Sequence, residues 1–173
     1  MANKTVCIER EYGSNGKNVA QWLAKTLSLE CYDKKDLWRI AEENHLLKEI
    51  PEDENEHDLA AQREAILYLS DRASCVFVGT SAAPVLQGRP RNLNVFIKAD
   101  LETKIQWAMA NEKLDRAQAE ERIAQMGEQR VEIRKNHSTT EDGDPVEFDL
   151  TVSTSKFGME GAVEIIKKCL SRM

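Results

Sequence analysis

The sequence predicts an α/β fold, a parallel sheet covered by helices on both faces, and three observations predict it. Short runs such as Cys75-Val76-Phe77-Val78 and Asn94-Val95-Phe96-Ile97-Lys98 are too uniformly apolar for strands with one wet face, so they read as strands buried on both sides. Segments with the i, i+3, i+4, i+7 spacing of an amphipathic helix alternate with those runs. A glycine-containing segment, residues 13–18, joins the first strand pattern to the first helix pattern. Strands that alternate with helices return to the same sheet through right-handed crossovers.

Thr5-Val6-Cys7-Ile8 is the first strand, broken by the polar run Glu9 to Gly16. From Lys17 onward Val19, Trp22, Leu23, Thr26 and Leu27 form one helical stripe. Leu29-Glu30-Cys31-Tyr32 is a short second strand. Lys35 to Leu47 is a helix with Leu37, Trp38, Ile40 and Ala41 inward. Pro51 to Glu56 is an acidic connector, and Asp58 to Ser70 is a helix leading into the Cys75 strand and Gly79. After the Asn94 strand a helical stretch runs from Leu101 to about Met126, with a break near Leu114 and Gly127 as a hinge or break. The polar stretch 137–145 interrupts before the strand pattern Phe148 to Ser153, and the final helix uses Met159, Ala162, Val163, Ile166, Cys169 and Leu170.

A chain of 173 residues fits one domain, residues 1–173. With 41% hydrophobic and 31% charged residues it has both a core and a solvated surface, which excludes intrinsic disorder. A net charge of −6 disfavours a nonspecific grip on nucleic acid or on an anionic membrane. Met1-Ala2-Asn3-Lys4 leads into a strand with no long apolar stretch, so no signal peptide or membrane span is expected and the chain is placed in the cytoplasm. Cys7, Cys31, Cys75 and Cys169 are scattered without a C-x-x-C pair and read as free buried thiols. His45, His57 and His137 show no metal-ligand spacing, so no protein-held metal site is expected.

In a parallel sheet ligands bind beyond the carboxyl ends of the strands, so the segment after the first strand is the candidate site. Gly13, Ser14, Asn15, Gly16, Lys17 and Asn18 would let an anion approach backbone N–H groups at the start of a helix, whose N-terminus is partially positive, with Lys17 adding a full charge. The same residues also read as a tight strand-to-helix turn. Against G-x-x-x-x-G-K-[ST], Glu11 stands at the first glycine and Asn18 at the hydroxyl position.

Residues 5–17, Thr5-Val6-Cys7-Ile8-Glu9-Arg10-Glu11-Tyr12-Gly13-Ser14-Asn15-Gly16-Lys17, resemble the opening of the cytidylate kinase-like family, I-S-R-E-Y-G-S-G-G and a basic residue. The resemblance continues through Tyr32-Asp33-Lys34, Val76-Phe77-Val78-Gly79, residues 95–100 and Phe148-Asp149-Leu150. In that family Glu11 and Tyr12 belong to the normal loop. The resemblance implies a three-layer P-loop NTP hydrolase-like fold with a five-stranded parallel sheet, and a helical lid at about residues 115–147. It also implies transfer of the ATP γ-phosphoryl group to a nucleoside monophosphate of CMP-like kind, with Mg²⁺ bridging the β and γ oxygens. Lys17 would hold the phosphates. Asp33 and Arg39 would meet the acceptor, although Asp33 also reads as a helix N-cap and Arg39 as part of a solvated face.

Three positions depart from the family. Gly79-Thr80-Ser81 replaces a Gly-Arg, with Arg89 or Arg91 as substitutes. The lid pattern keeps Arg130 but loses an aspartate and two tyrosines. Asp142-Gly143-Asp144 stands where a tryptophan-glycine is expected. Arg122, Arg130 and Arg134 lie within about 120° of one another on a helix and form a basic stripe, in which Arg130, kept from the family's lid pattern, and Arg134 are the candidate catalytic residues, while a solvated face is the plainer reading. Three functions follow: a nucleotide kinase, a nucleotide-binding or regulatory module of the same fold without turnover, or a scaffold.

Overall fold

A computed structural model describes residues 3–137 and 146–173, with side chains of residues 134–137 outside the description. Five parallel strands, β1 (Thr5–Arg10), β2 (Glu30–Tyr32), β3 (Cys75–Val78), β4 (Asn92–Lys98) and β5 (Leu150–Ser153), lie in the order β2-β3-β1-β4-β5. Seven helices are present among the described residues: α1 (Gly16–Leu27), α2 (Lys34–Glu43), α3 (Glu54–Arg72), α4 (Ala82–Leu86), α5 (Leu101–Glu112), α6 (Arg116–His137) and α7 (Thr154–Leu170).

Strand alternation sorts the core into two layers. Val6, Ile8, Val76, Val78, Val95 and Ile97 face α1 and α7, and Cys7, Cys75 and Phe77 face α2, α3 and α4. Fully burying a side chain of this size stabilises by about 1.5–3 kcal/mol, so the two layers supply most of the drive to fold. A third cluster forms where α5 and α6 leave the sheet: Tyr12 packs edge-on to Trp107 at 5.3 Å and against Ile105, Ala108, Ala119 and Ile123. Cys7 and Cys75 are buried as expected, whereas Cys31 and Cys169 are only half-buried at the margin of the core; burial pushes the Cys31 thiol up to about 11 and Cys75 up to about 12.

Several elements differ from the sequence expectation. β1 extends two residues further, to Arg10, because β4 continues beside it and Arg10 pairs with Ile97. The inward stripe of α1 is Val19, Ala20, Leu23 and Ala24, and Trp22 is 40% exposed, because the small Ala20 and Ala24 sit against the sheet and turn Trp22 outward. α2 stops at Glu43, and α3 starts inside the acidic connector, where the Asp53 carboxylate accepts the N–H groups of Asn55 and Glu56. Pattern alone missed α4, which is a single short turn. The break near Leu114 is real, with Lys113 left-handed at φ 56°. Gly127 makes no break, since α6 runs through it to His137. Asp142-Gly143-Asp144 lies outside the described residues.

Candidate functional site

β1 is the central strand, and its connection α1 covers one face of the sheet while α4, following the neighbouring β3, covers the other. Adjacent strands whose connections part in this way leave a crevice at their carboxyl ends. A cavity of about 920 Å³ opens there. Arg10 at the end of β1, residues 77–82 at the end of β3, Lys17 on α1, and residues from α2, α3 and α6 line it.

The loop that enters α1 is shaped by close packing. Gly13 has φ 78°, and a Cβ there would lie 3.1 Å from the Cα of Lys104. At Gly16 a Cβ would lie 2.3 Å from Cβ and 2.6 Å from Cγ of Arg10, a distance no side chain tolerates. Ser14 is fully buried: its hydroxyl donates to Glu11 O at 2.6 Å, and its carbonyl accepts the Thr154 hydroxyl at 2.7 Å, which ties the loop to the start of α7. Asn15 is the N-cap of α1 in the left-handed region (φ 62°), and its side chain makes no capping bond. Its Oδ1 instead accepts from Trp107 Nε1 at 2.8 Å and from Asn18 Nδ2 at 3.1 Å. The Asn15 side chain therefore leaves the first-turn N–H groups of α1 uncapped, and helix N-termini in that condition attract anions. Glu11 does not oppose an anion, because its carboxylate is held by Lys104 Nζ at 2.7 Å and the N–H of Ala99 at 3.3 Å.

Lys17 Nζ lies 3.3 Å from Asp33 Oδ2, so the structure brings the loop lysine to the end of β2. Asp33 caps α2 as well: its Oδ1 accepts the N–H groups of Lys35 and Asp36, and Asp36 returns a carboxylate to the Asp33 N–H. Burial pushes the Asp33 carboxyl up, but the N–H of Asp36, the Lys17 ammonium and the N–H of Lys35 together hold it below its ordinary value. The folded carboxyl thus releases its proton more readily than the unfolded one. Its contribution to stability is complete above the unfolded value of about 3.9 and is lost as pH falls through the folded value. Asp33→Ala is expected to cost about 1 kcal/mol in urea unfolding at pH 7, and the gap from wild type should close toward pH 2.

The far wall is polar and buried. Gln62 Oε1 accepts the Ser81 hydroxyl at 2.7 Å. Asp58 pairs with Lys34 at 2.7 Å and accepts Trp38 Nε1. Over the opening stands α6, whose Met126, Gln129, Arg130, Glu132 and Ile133 line the cavity, and Arg130 Nη1 donates to the carbonyl of Arg10.

Not every expected residue reaches this site. Arg39 lies on the outer face of α2, 3.0 Å from Glu43 and 3.7 Å from Asp36, and is not among the residues lining the cavity, because Leu37, Ile40 and Ala41 turn inward. Arg89 pairs with Asp71 at 2.9 Å, and Arg91 lies just before β4, at the opposite end of the sheet. Arg134 lies on α6, but its side chain is outside the description. Arg122 pairs with Glu112 at 3.1 Å, away from the cavity. Sequence reasoning missed Arg10 and the wall formed by Asp58, Gln62 and Ser81.

A model of the cytidylate kinase-like family matches residues 5–61 and 53–156. No curated protein matches the sequence. A crystal structure of an uncharacterized protein from Eubacterium ventriosum superposes with a TM-score of 0.80 at 22% identity, over 99% of this chain and 100% of that one. Shikimate kinase from Acinetobacter baumannii, solved in complex with shikimate, superposes with a TM-score of 0.57 at 16% identity, over 98% and 94%. A sugar kinase from Janibacter gives 0.56 at 14% identity, over 98% and 95%. These likenesses show the P-loop kinase fold.

Proposed function

The chain belongs to the cytidylate kinase-like family, and on that premise we propose that it is an ATP-dependent kinase that moves the γ-phosphoryl group to a nucleoside monophosphate, CMP-like in size and charge. The observation that carries this reading is the uncapped start of α1, with Lys17 beside it on the cavity wall. The backbone N–H groups of residues 13–18 bind the β and γ phosphates of ATP, and Lys17 leaves Asp33 to neutralise them. An acceptor phosphate oxygen attacks the γ phosphorus as the bond to ADP breaks. Arg130 of α6 screens the charge that spreads over the transferred group. α6 acts as the lid, excluding water from the transfer.

Among the described residues no group of three His, Cys, Asp or Glu side chains gathers as a metal site. Asn18 at the start of α1, whose Nδ2 donates to Asn15, would have its amide oxygen to offer to a Mg²⁺ ion carried mainly by the phosphates. The chemistry such an ion would supply is neutralisation of the charge on the β and γ phosphates. No helix among the described residues is long and apolar enough to cross a membrane.

The test is ADP formation from Mg-ATP across a panel of nucleoside monophosphates. Turnover that depends on one acceptor is the expected result and names it. Thr80 in place of an arginine favours a second reading, a nucleotide-binding module, which would show binding of Mg-ATP without acceptor-dependent ADP.

A further inference from the structure

Five cationic side chains line the cavity among the described residues, and Arg10 differs from the others in origin. Lys17, Lys34 and Lys35 are exposed side chains on helices, two of them already paired with Asp33 and Asp58, and Arg130 comes from α6. Arg10 is the last residue of β1 and half-buried. Strand alternation puts it on the face of Val6 and Ile8, beneath α1, where Gly16 comes so close to its Cβ and Cγ that any side chain at 16 would collide. The loop glycine is therefore what admits the arginine stem under the first turn of α1.

Two carboxylates, Glu9 and Asp33, lie near enough to offset part of the cost of desolvating this guanidinium. Asp33 is committed elsewhere, one oxygen to the N-terminus of α2 and the other to Lys17. Arg10 thus brings to the cavity wall, at the end of β1, a planar guanidinium on a stem packed under α1, the geometry that suits a phosphate. The carbonyl of the same residue receives Arg130.

We infer that Arg10 receives the phosphate of the acceptor, and that α6 seats on the backbone of that same residue, so acceptor binding and lid position meet at one point of β1. The inference rests on the kinase reading for its choice of ligand. It replaces Arg39, which stands outside the cavity, as the residue that holds the acceptor phosphate.

Calorimetric titration of the full chain with CMP, cytidine and Mg-ATP tests it, using wild type, Arg10→Gln and Arg10→Lys. Wild type should bind CMP far more tightly than cytidine. Arg10→Gln should weaken CMP by about 30-fold or more while cytidine and Mg-ATP change by less than about twofold, and Arg10→Lys should fall between. If Arg10→Gln does not fold, Arg10→Lys carries the comparison, with an expected loss of about fivefold for CMP alone. Unchanged CMP affinity in the variants, equal losses for CMP and Mg-ATP, or a wild type that prefers cytidine as much as CMP would overturn the assignment. CMP binding that depends on Arg10 in a protein that forms no ADP would uphold Arg10 as the phosphate site and reject the kinase reading instead.

Discussion

Lys17→Ala is expected to lower acceptor-dependent ADP formation by about 10²–10³-fold while leaving the fold intact. The magnitude is that of removing one preorganised charge from developing phosphoryl charge in a site screened from water. Stability should change little, because Lys17 is 53% exposed and its partner Asp33 keeps both backbone donors of the α2 cap. An exposed ion pair of this kind contributes about 0–1 kcal/mol. Initial rates and urea unfolding on the same preparations separate the two effects. A rate loss matched by an equal loss of stability would mean that Lys17 supports the fold and not the phosphates.

Gly16→Ala should produce the largest structural effect of any single methyl group near the site. Alanine ordinarily stabilises a helical position by about 1 kcal/mol over glycine. Here the added Cβ would sit 2.3 Å from Arg10 Cβ and 3.4 Å from Ile97 Cβ, against the end of β1 where it pairs with β4. Neither the first turn of α1 nor the end of β1 moves cheaply, so overpacking outweighs propensity and the net cost is about 1–3 kcal/mol. Mg-ATP affinity should fall with it, because relief of the clash lifts the uncapped turn from the cavity. Gly127→Ala is the control: nothing lies within 4 Å of its Cβ position in α6, and it should gain about 0.5–1 kcal/mol in urea unfolding.

The parts of this molecule that local sequence dictates were readable from it. β1, β3 and β4 announce themselves by uninterrupted apolar residues, because both faces of each are covered. The glycine segment after β1 points to the site for the same reason that the chain needs glycine there, a left-handed turn at 13 and a close approach at 16. Arg10 was hidden because Glu9-Arg10-Glu11 reads as a charged turn. Only pairing with Ile97 of β4 extends the strand far enough to place it. Arg39 fails to reach the cavity because the register of α2 is set by Leu37 and Ile40, and no local pattern reveals which flank of that stripe faces a ligand. Asp58, Gln62 and Ser81 meet only through the packing of α3 on the end of β3, which joins residues 23 positions apart in sequence at the extremes.

Transfer, as opposed to hydrolysis or simple binding, is the central claim, and a single-turnover experiment reads it directly. The chain is mixed in excess over ATP labelled at the γ phosphate, with Mg²⁺ and the acceptor that the turnover panel selects, and the label is followed. Label should appear on the acceptor in step with ADP, with little released as inorganic phosphate. Label released only as inorganic phosphate, or ATP left intact in a protein that binds it, would contradict the account.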